Sequence, residues 1–305
     1  MRSPLVVSLA VIASLLALAA LAAPVPLFRV TPTWRLGGEG GWDYVTADAA
    51  TRRLYVAHGT RVEVLDLRSR QKIGVIEPTP GVHGVALAPD LGRGFVSCGR
   101  DSSMVVFELA TLHTLQRVAL PARNPDAILY EPRTHRVFTF NGGSANADHA
   151  HHRLFSVCDT SRTGATALLG NIDLGGKPEF AAADGAGKVA TLPIGGGVDG
   201  VVFDQRRGLA ISSNGEGTIT VVRVPTYQRV STRSPKPSAQ PAESFVVAEN
   251  DSTQRGARTV ALDDSTGTLY LPAADFGPPP SPTPDRPRPR PSIVPDTFRL
   301  LIYQP

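Results

Sequence analysis

Six residues that could do chemistry, Asp43, His83, Asp126, Glu179, Asp199 and Arg258, stand at one position of a phrase that recurs along the chain. Acids flanking an imidazole can act as a general base or hold a metal ion for assisted hydrolysis. Four carboxylates gathered without as many cations would repel one another, raising some of their pKa values or drawing in a cation. The set therefore suits a metal ion, or a cationic or polyhydroxylated ligand. The plainer use of an acid at the start of a strand is to accept hydrogen bonds from nearby backbone N–H groups, and that use stays open here. No nucleophile or strict ligand motif accompanies the six, which weighs for binding over catalysis.

A second cluster, Asp148-His149-Ala150-His151-His152, could ligate a divalent metal through His149, His151 and His152. Imidazoles suit zinc, copper or nickel, yet no fourth ligand spacing points to a structural site. The cluster reads as part of an expanded surface loop. Cys98 and Cys158 are the two cysteines. A chain that relied on disulfide staples would carry more, so each reads as a packed strand thiol, with pairing in an oxidising compartment left open.

The elements that must position these residues are short strands. Leu54-Tyr55-Val56-Ala57-His58-Gly59, Gly94-Phe95-Val96-Ser97-Cys98-Gly99, Val137-Phe138-Thr139-Phe140-Asn141-Gly142 and Ala210-Ile211-Ser212-Ser213-Asn214-Gly215 are variants of one strand running into a turn, and Leu269 to Ala274 is a fifth. Trp42 to Gly59, Val82 to Gly99, Pro125 to Gly142 and Val198 to Gly215 share one length. In the first unit, strands are expected over Tyr44 to Ala47, Arg53 to Ala57, Val62 to Asp66 and Gln71 to Ile76. Four strands in about 40 residues, then a restart, is the spacing of a propeller blade. Arg153 to Asp159 reads as a third strand, with a second-strand reading also open.

The last unit offers Thr259 to Leu262, Thr268 to Leu271 and Phe298 to Tyr303 and then stops one strand short. Phe28 to Leu36, at the other end of the chain, supplies the missing fourth strand. Such closure hides edges that would otherwise invite aggregation. Within a blade the first strand is innermost, so the six openers should ring the mouth of a central channel. His58, Cys98, Asn141, Asn214 and Ala273 would form a wider ring at the turns, where Asn and Gly commonly supply positive φ.

From Thr33 to Tyr303 the chain resembles the YVTN-repeat, YncE-like family of exported bacterial β-propellers. The resemblance is carried by Gly37 to Tyr44, Gly81 to Ala86, Asn124 to Ile128, Gly175 to Phe180, Gly197 to Gly200 and Gln254 to Thr259. It implies seven blades and a generally non-enzymatic binding role. The chain departs from that pattern after Pro178-Glu179, where the next opener, Val198-Asp199, follows only 20 residues on. The expectation is thus an all-β propeller of four-stranded antiparallel blades, six units of which five are fuller and one is truncated.

Residues 1–23 read as an export signal, with Arg2, an apolar run from Leu5 and a small-residue site before Pro24; an uncleaved anchor is the alternative. A periplasmic or secreted location follows, with no stable membrane span once the leader is removed. Residues 28–305 then form a single propeller domain, long enough for one large core. The excess charge of +4 is too dilute to argue for nucleic acid. Residues 274–296 hold a Pro-rich extended loop, and Arg233 to Ala242 a Ser- and Pro-rich insertion. The functional expectation is a non-catalytic scaffold that binds a small molecule or protein at the channel mouth, with a divalent metal as a candidate cofactor. A metal-dependent, lactonase-like hydrolase or a quinoprotein-like oxidoreductase using the same face is the alternative.

Overall fold

The runs of the repeat are β-branched, aromatic and apolar at successive positions, a composition that suits strands covered on both faces. The computed structural model describes residues 26–121, 123–142, 154–160, 166–173, 192–224, 245–283, 287, 289 and 291–305. β1 (Arg29–Arg35) comes first. Blade 1 holds β2 (Trp42–Asp48), β3 (Arg53–His58), β4 (Arg61–Asp66) and β5 (Gln71–Ile76). Blade 2 holds β6 (Val82–Ala88), β7 (Arg93–Cys98), β8 (Ser103–Glu108) and β9 (Thr114–Ala119). Blade 3 holds β10 (Pro125–Glu131), β11 (Arg136–Asn141), β12 (Leu154–Asp159) and β13 (Ala167–Asp173). Blade 4 holds β14 (Val198–Asp204), β15 (Leu209–Asn214), β16 (Thr218–Arg223) and β17 (Val246–Ser252). Blade 5 holds β18 (Ala261–Asp263), β19 (Thr268–Ala273) and β20 (Arg299–Gln304), and its fourth strand is β1.

These five antiparallel four-stranded sheets make a β-propeller. The closing strand sits as expected, with Val30 opposite Tyr303 and Trp34 opposite Leu300. The N–H groups of Leu36 and Gly37 both donate to the carbonyl of Phe298 at 3.0 Å. β12 pairs with β11 on one side and β13 on the other, so it is a third strand. The truncated unit expected at Glu179 lies outside the described residues.

Alternate side chains of blades 1, 2 and 5 feed two different cores. Tyr55, Ala57, Val62 and Val64 of blade 1 meet Val85, Val96, Val105 and Phe107 of blade 2. Leu54, Val56 and Leu65 turn the other way and meet Trp34, Tyr270, Leu300 and Ile302 of blade 5. Ile211, Ile219 and Val221 of blade 4 pack against Leu269, Leu271 and Tyr303 of blade 5. Phe95, Met104 and Val106 of blade 2 face Val137 and Cys158 of blade 3. Each fully buried side chain of this size contributes about 1.5–3 kcal/mol, so the blade-to-blade seams hold the ring together. Cys98 and Cys158 are buried free thiols in two separate cores, and burial pushes both up to about 11.

The seam on the other flank of blade 4 differs. Val201 and Phe203 are exposed there, and with Ile194, Ala210 and Val222 the flank borders an apolar cavity of about 390 Å³ beside Val201. This is the side on which the truncated unit would fall in chain order.

The shared hairpin length has a physical cause. The turn N–H groups of Gly59, Gly99, Gly142 and Gly215 donate to the carbonyls of Gly41, Gly81, Asn124 and Gly197, at 2.7 to 2.9 Å. One hydrogen bond thus ties the turn to the residue two places before each opener. The Pro-rich segment is pinned at its base: Gly277 N–H donates to Ser292 and Val294 N–H to Asp275. Phe276 at that base lies 5.9 Å from Trp42, which stacks on Phe298 at 5.4 Å.

Candidate functional site

Four of the five innermost strands begin with a break in register. The break falls between Trp42 and Val45 in β2, Val82 and Val85 in β6, Pro125 and Ile128 in β10, and Val198 and Gly200 in β14. Asp43, His83, Asp126 and Asp199 sit inside these irregularities. A bulge re-aims a side chain that regular pleating would bury, and here the four converge on one face. Arg258 reaches the same face from the segment just before β18.

The five side chains alternate in charge in the order of the blades. Arg258 Nε lies 2.9 Å from Asp199 Oδ2, and its Nη2 lies 3.8 Å from Asp43 Oδ1. His83 Nδ1 lies 2.6 Å from the other Asp43 oxygen and 3.6 Å from Asp126 Oδ1. The sequence is therefore acid, base, acid, base, acid from blade 4 through blades 5, 1 and 2 to blade 3. The repulsion expected among gathered carboxylates is relieved by this interleaving. Burial disfavours the charged imidazole of His83, but its hydrogen bond to Asp43 and the charges of Asp126 and Asp43 outweigh that, so its pKa lies above 6.5.

His83 is held by more than its acids. Its Nε2 lies 3.2 Å from Asn124 Oδ1 and donates to it, so Nδ1 is turned toward the two carboxylates. A Cβ on Gly99 would come within 2.4 Å of that Asn124 oxygen and 2.6 Å of His83 Nε2, so glycine is needed there for space. Backbone contacts fix the openers themselves. Ser97 Oγ donates to the Asp126 carbonyl at 2.5 Å, and Thr259 Oγ1 to that of Asp43 at 2.9 Å.

Beneath the mouth lies an apolar channel of about 240 Å³, lined by Val45, Val85, Ala127, Val201 and Val260, one from each blade. The face thus offers a polar rim over an apolar shaft, and the His83 side chain stays 25% exposed.

Five of the six predicted mouth residues are brought together; Glu179 lies outside the described residues, as do His149, His151 and His152. The wider turn ring is corrected. His58, Cys98, Asn141, Asn214 and Ala273 are all buried, and neither Asn141 nor Asn214 has positive φ. Both asparagines serve as cross-strand anchors instead: Asn214 Nδ2 donates to Thr218 and Thr220, and Asn141 Nδ2 to Ser156. Asn124 was not among the predicted site residues. The residue two places before the opener is Gly81, Gly197 and Gly256 in three other blades, all with positive φ, and Asn124 shares that conformation at φ 54°. A side chain at a glycine position was the available signal.

Comparison with known proteins supports the fold and nothing finer. No family model matches the sequence, and no curated protein matches it. Among solved structures, Kuenenia stuttgartiensis hydrazine synthase is similar over 82% of this chain and 95% of that chain, at 12% identity and a TM-score of 0.50. The β-propeller domain of Myceliophteria thermophila Cps50 (Swd1) is matched over 91% of this chain and 99% of that one, at 9% identity and a TM-score of 0.49. Among the described residues no helix is long and apolar enough to cross a membrane.

Proposed function

We propose that the chain is an exported, YVTN-repeat (YncE-like) propeller, periplasmic or secreted, that serves as a binding scaffold without chemistry of its own. Its ligand is a cationic or polyhydroxylated small molecule, or a protein loop of that character, taken at the channel mouth. The observation that carries this reading is the continuous line of Asp199, Arg258, Asp43, His83 and Asp126, one residue per blade and partly exposed. Three carboxylates against two bases leave the rim short of positive charge, which favours a cationic group or several hydroxyl donors over an anion.

Calorimetry with 1,4-diaminobutane and with a disaccharide, on protein made without a tag, tests the proposal. At least one is expected to bind, and Asp126→Asn and Asp199→Asn each to weaken binding about fivefold or more, the worth of one charge at this range. Binding that ignores both substitutions would place the ligand elsewhere. The hydrolase reading rests on Asp43, His83 and Asp126 alone. A lactone-hydrolysis screen of the same protein with and without added Zn²⁺ decides it.

A further inference from the structure

We infer that Asp43, His83 and Asp126 form a site for one divalent transition ion of the zinc or manganese type. This deepens the mouth-binding proposal by naming a ligand, and it rests on that reading of the face. One oxygen of each acid and Nδ1 of the imidazole all lie within 4.8 Å of one another. Donors sharing an ion bound at about 2.1 Å stand roughly 3–4 Å apart, so the set needs only small side-chain adjustments to close on a metal. Carboxylates from blades 1 and 3, with a whole blade between them, would ordinarily stand too far apart to share a small ion. The bulges in β2, β6 and β10 remove that obstacle by turning the three openers inward.

The acceptor for the remote ring nitrogen of His83 is already in place. A metal-binding imidazole commonly donates its remote N–H to a carbonyl, which sets ring orientation and leaves the near nitrogen for the ion. Asn124 Oδ1 receives His83 Nε2–H in that manner, and Gly99 leaves the space for the contact. The charge count agrees: three carboxylates are offset by the Arg258 guanidinium and one divalent ion, so the ring becomes neutral with a neutral His83. Asp199 and Arg258 form a pair beside the ion and supply none of its ligands. An imidazole with two carboxylates is a borderline-hard set, which favours zinc, manganese or iron(II) over copper(I). Three protein ligands leave open positions for water or for a ligand's oxygen atoms.

The test uses the full chain made without a tag, stripped with chelator, in a background where His149, His151 and His152 are replaced by alanine. Calorimetric titration with Zn²⁺ and electron paramagnetic resonance with Mn²⁺ are expected to show one ion per chain at micromolar affinity or tighter. Asp126→Asn and His83→Ala should each weaken it on the order of tenfold or more, and Asn124→Ala about tenfold through loss of the acceptor that orients the ring. Asp199→Asn, which removes a nearby charge and no ligand, should weaken it less than Asp126→Asn does. Circular dichroism checks that the variants fold. If His83→Ala does not fold, nitrogen superhyperfine coupling from one imidazole on Mn²⁺ in the parent protein takes its place. No ion bound below millimolar concentration, or an ion whose affinity ignores Asp126 and His83, overturns the inference. Should diaminobutane or disaccharide binding then persist and still depend on Asp199, the metal site alone falls. Loss of both kinds of binding removes the mouth reading as well.

Discussion

Arg258 and Asp199 form an ion pair across the seam between blades 5 and 4, with Nε 2.9 Å from Oδ2. The same guanidinium also faces Asp43 of blade 1, so one cation sits between two carboxylates on the rim. Its side chain is 37% exposed, which limits its worth to folding to about 1 kcal/mol or less. Its effect on the face should be larger. Arg258→Gln adds one net negative charge there and should strengthen 1,4-diaminobutane binding about fivefold at low salt, with the gain fading as salt screens it. Calorimetry at two salt concentrations measures this, and weakened binding would contradict the electrostatic reading of the mouth.

Arg52 and Asp263 make a second link between blades, buried where the first was exposed. Arg52 Nη1 contacts Asp263 Oδ2, and the Asp263 side chain has no solvent exposure. Burial would raise the Asp263 pKa, but hydrogen bonds from Ser265, Arg52 and Thr266 outweigh it and hold the carboxyl below 3.8. Removing one partner of a buried pair costs about 3–5 kcal/mol, because the other is left without compensation. Asp263→Ala should therefore lower the melting temperature by roughly 6–15 °C in a domain of this size. A thermal melt decides it, and a shift under about 2 °C would mean the pair is water-screened.

The ring was legible in the sequence because its strands are short, apolar on both faces and evenly spaced. Phe28–Leu36 could be assigned to the last blade because that unit otherwise stops one strand short. The segment Leu154–Asp159 was ambiguous, since its residue types fit either hairpin partner and only pairing with both β11 and β13 distinguishes them. Five of the six openers share a face, as their place in the repeat predicts, but their interaction was misjudged. A repeat position tells which residues share a face and nothing about which carboxylate oxygen meets which nitrogen. The anchoring role of Asn141 and Asn214 was likewise hidden, because asparagine before glycine is a turn signal whether or not its side chain is buried. Turn acids carried an unread regularity: Asp48, Glu131, Asp204 and Asp263 each accept backbone N–H bonds from residues two or three places on.

Ring closure makes Trp34 a sensitive point. It is nearly buried on β1, within the core formed by Tyr270, Leu300 and Leu54 from blades 5 and 1. Truncating a buried Trp to Ala costs about 3–5 kcal/mol. Because β1 closes the circle, the loss should also expose the outer edge of β20, an unpaired edge being a template for association. Trp34→Ala is expected to lower the urea midpoint and to increase light scattering on heating. Val30→Ala on the same strand, at an exposed site, should change stability by less than about 0.5 kcal/mol.

Asp251 and Glu249 lie two residues apart on β17, the outer strand of blade 4, and their hydrogen-bonded approach sets a pH dependence. Burial, then the charge of Glu249 and the hydrogen bond to it, push the Asp251 pKa up to about 6. Glu249 also accepts the backbone N–H of Leu27 at 2.9 Å, and the Tyr303 hydroxyl donates to the Ser252 carbonyl at 2.9 Å, so the pair borders the closing strand. An acid whose folded pKa exceeds its unfolded value binds more protons when folded. Its contribution is therefore fully present below the unfolded value of 3.8 and is lost as pH rises through about 6. Asp251→Asn removes this dependence. Urea midpoints of the parent and of Asp251→Asn, compared from pH 4 to pH 7.5, should show the parent losing stability relative to the variant as pH rises. A difference between the two that stays constant over that range would mean that Asp251 titrates as an ordinary surface acid.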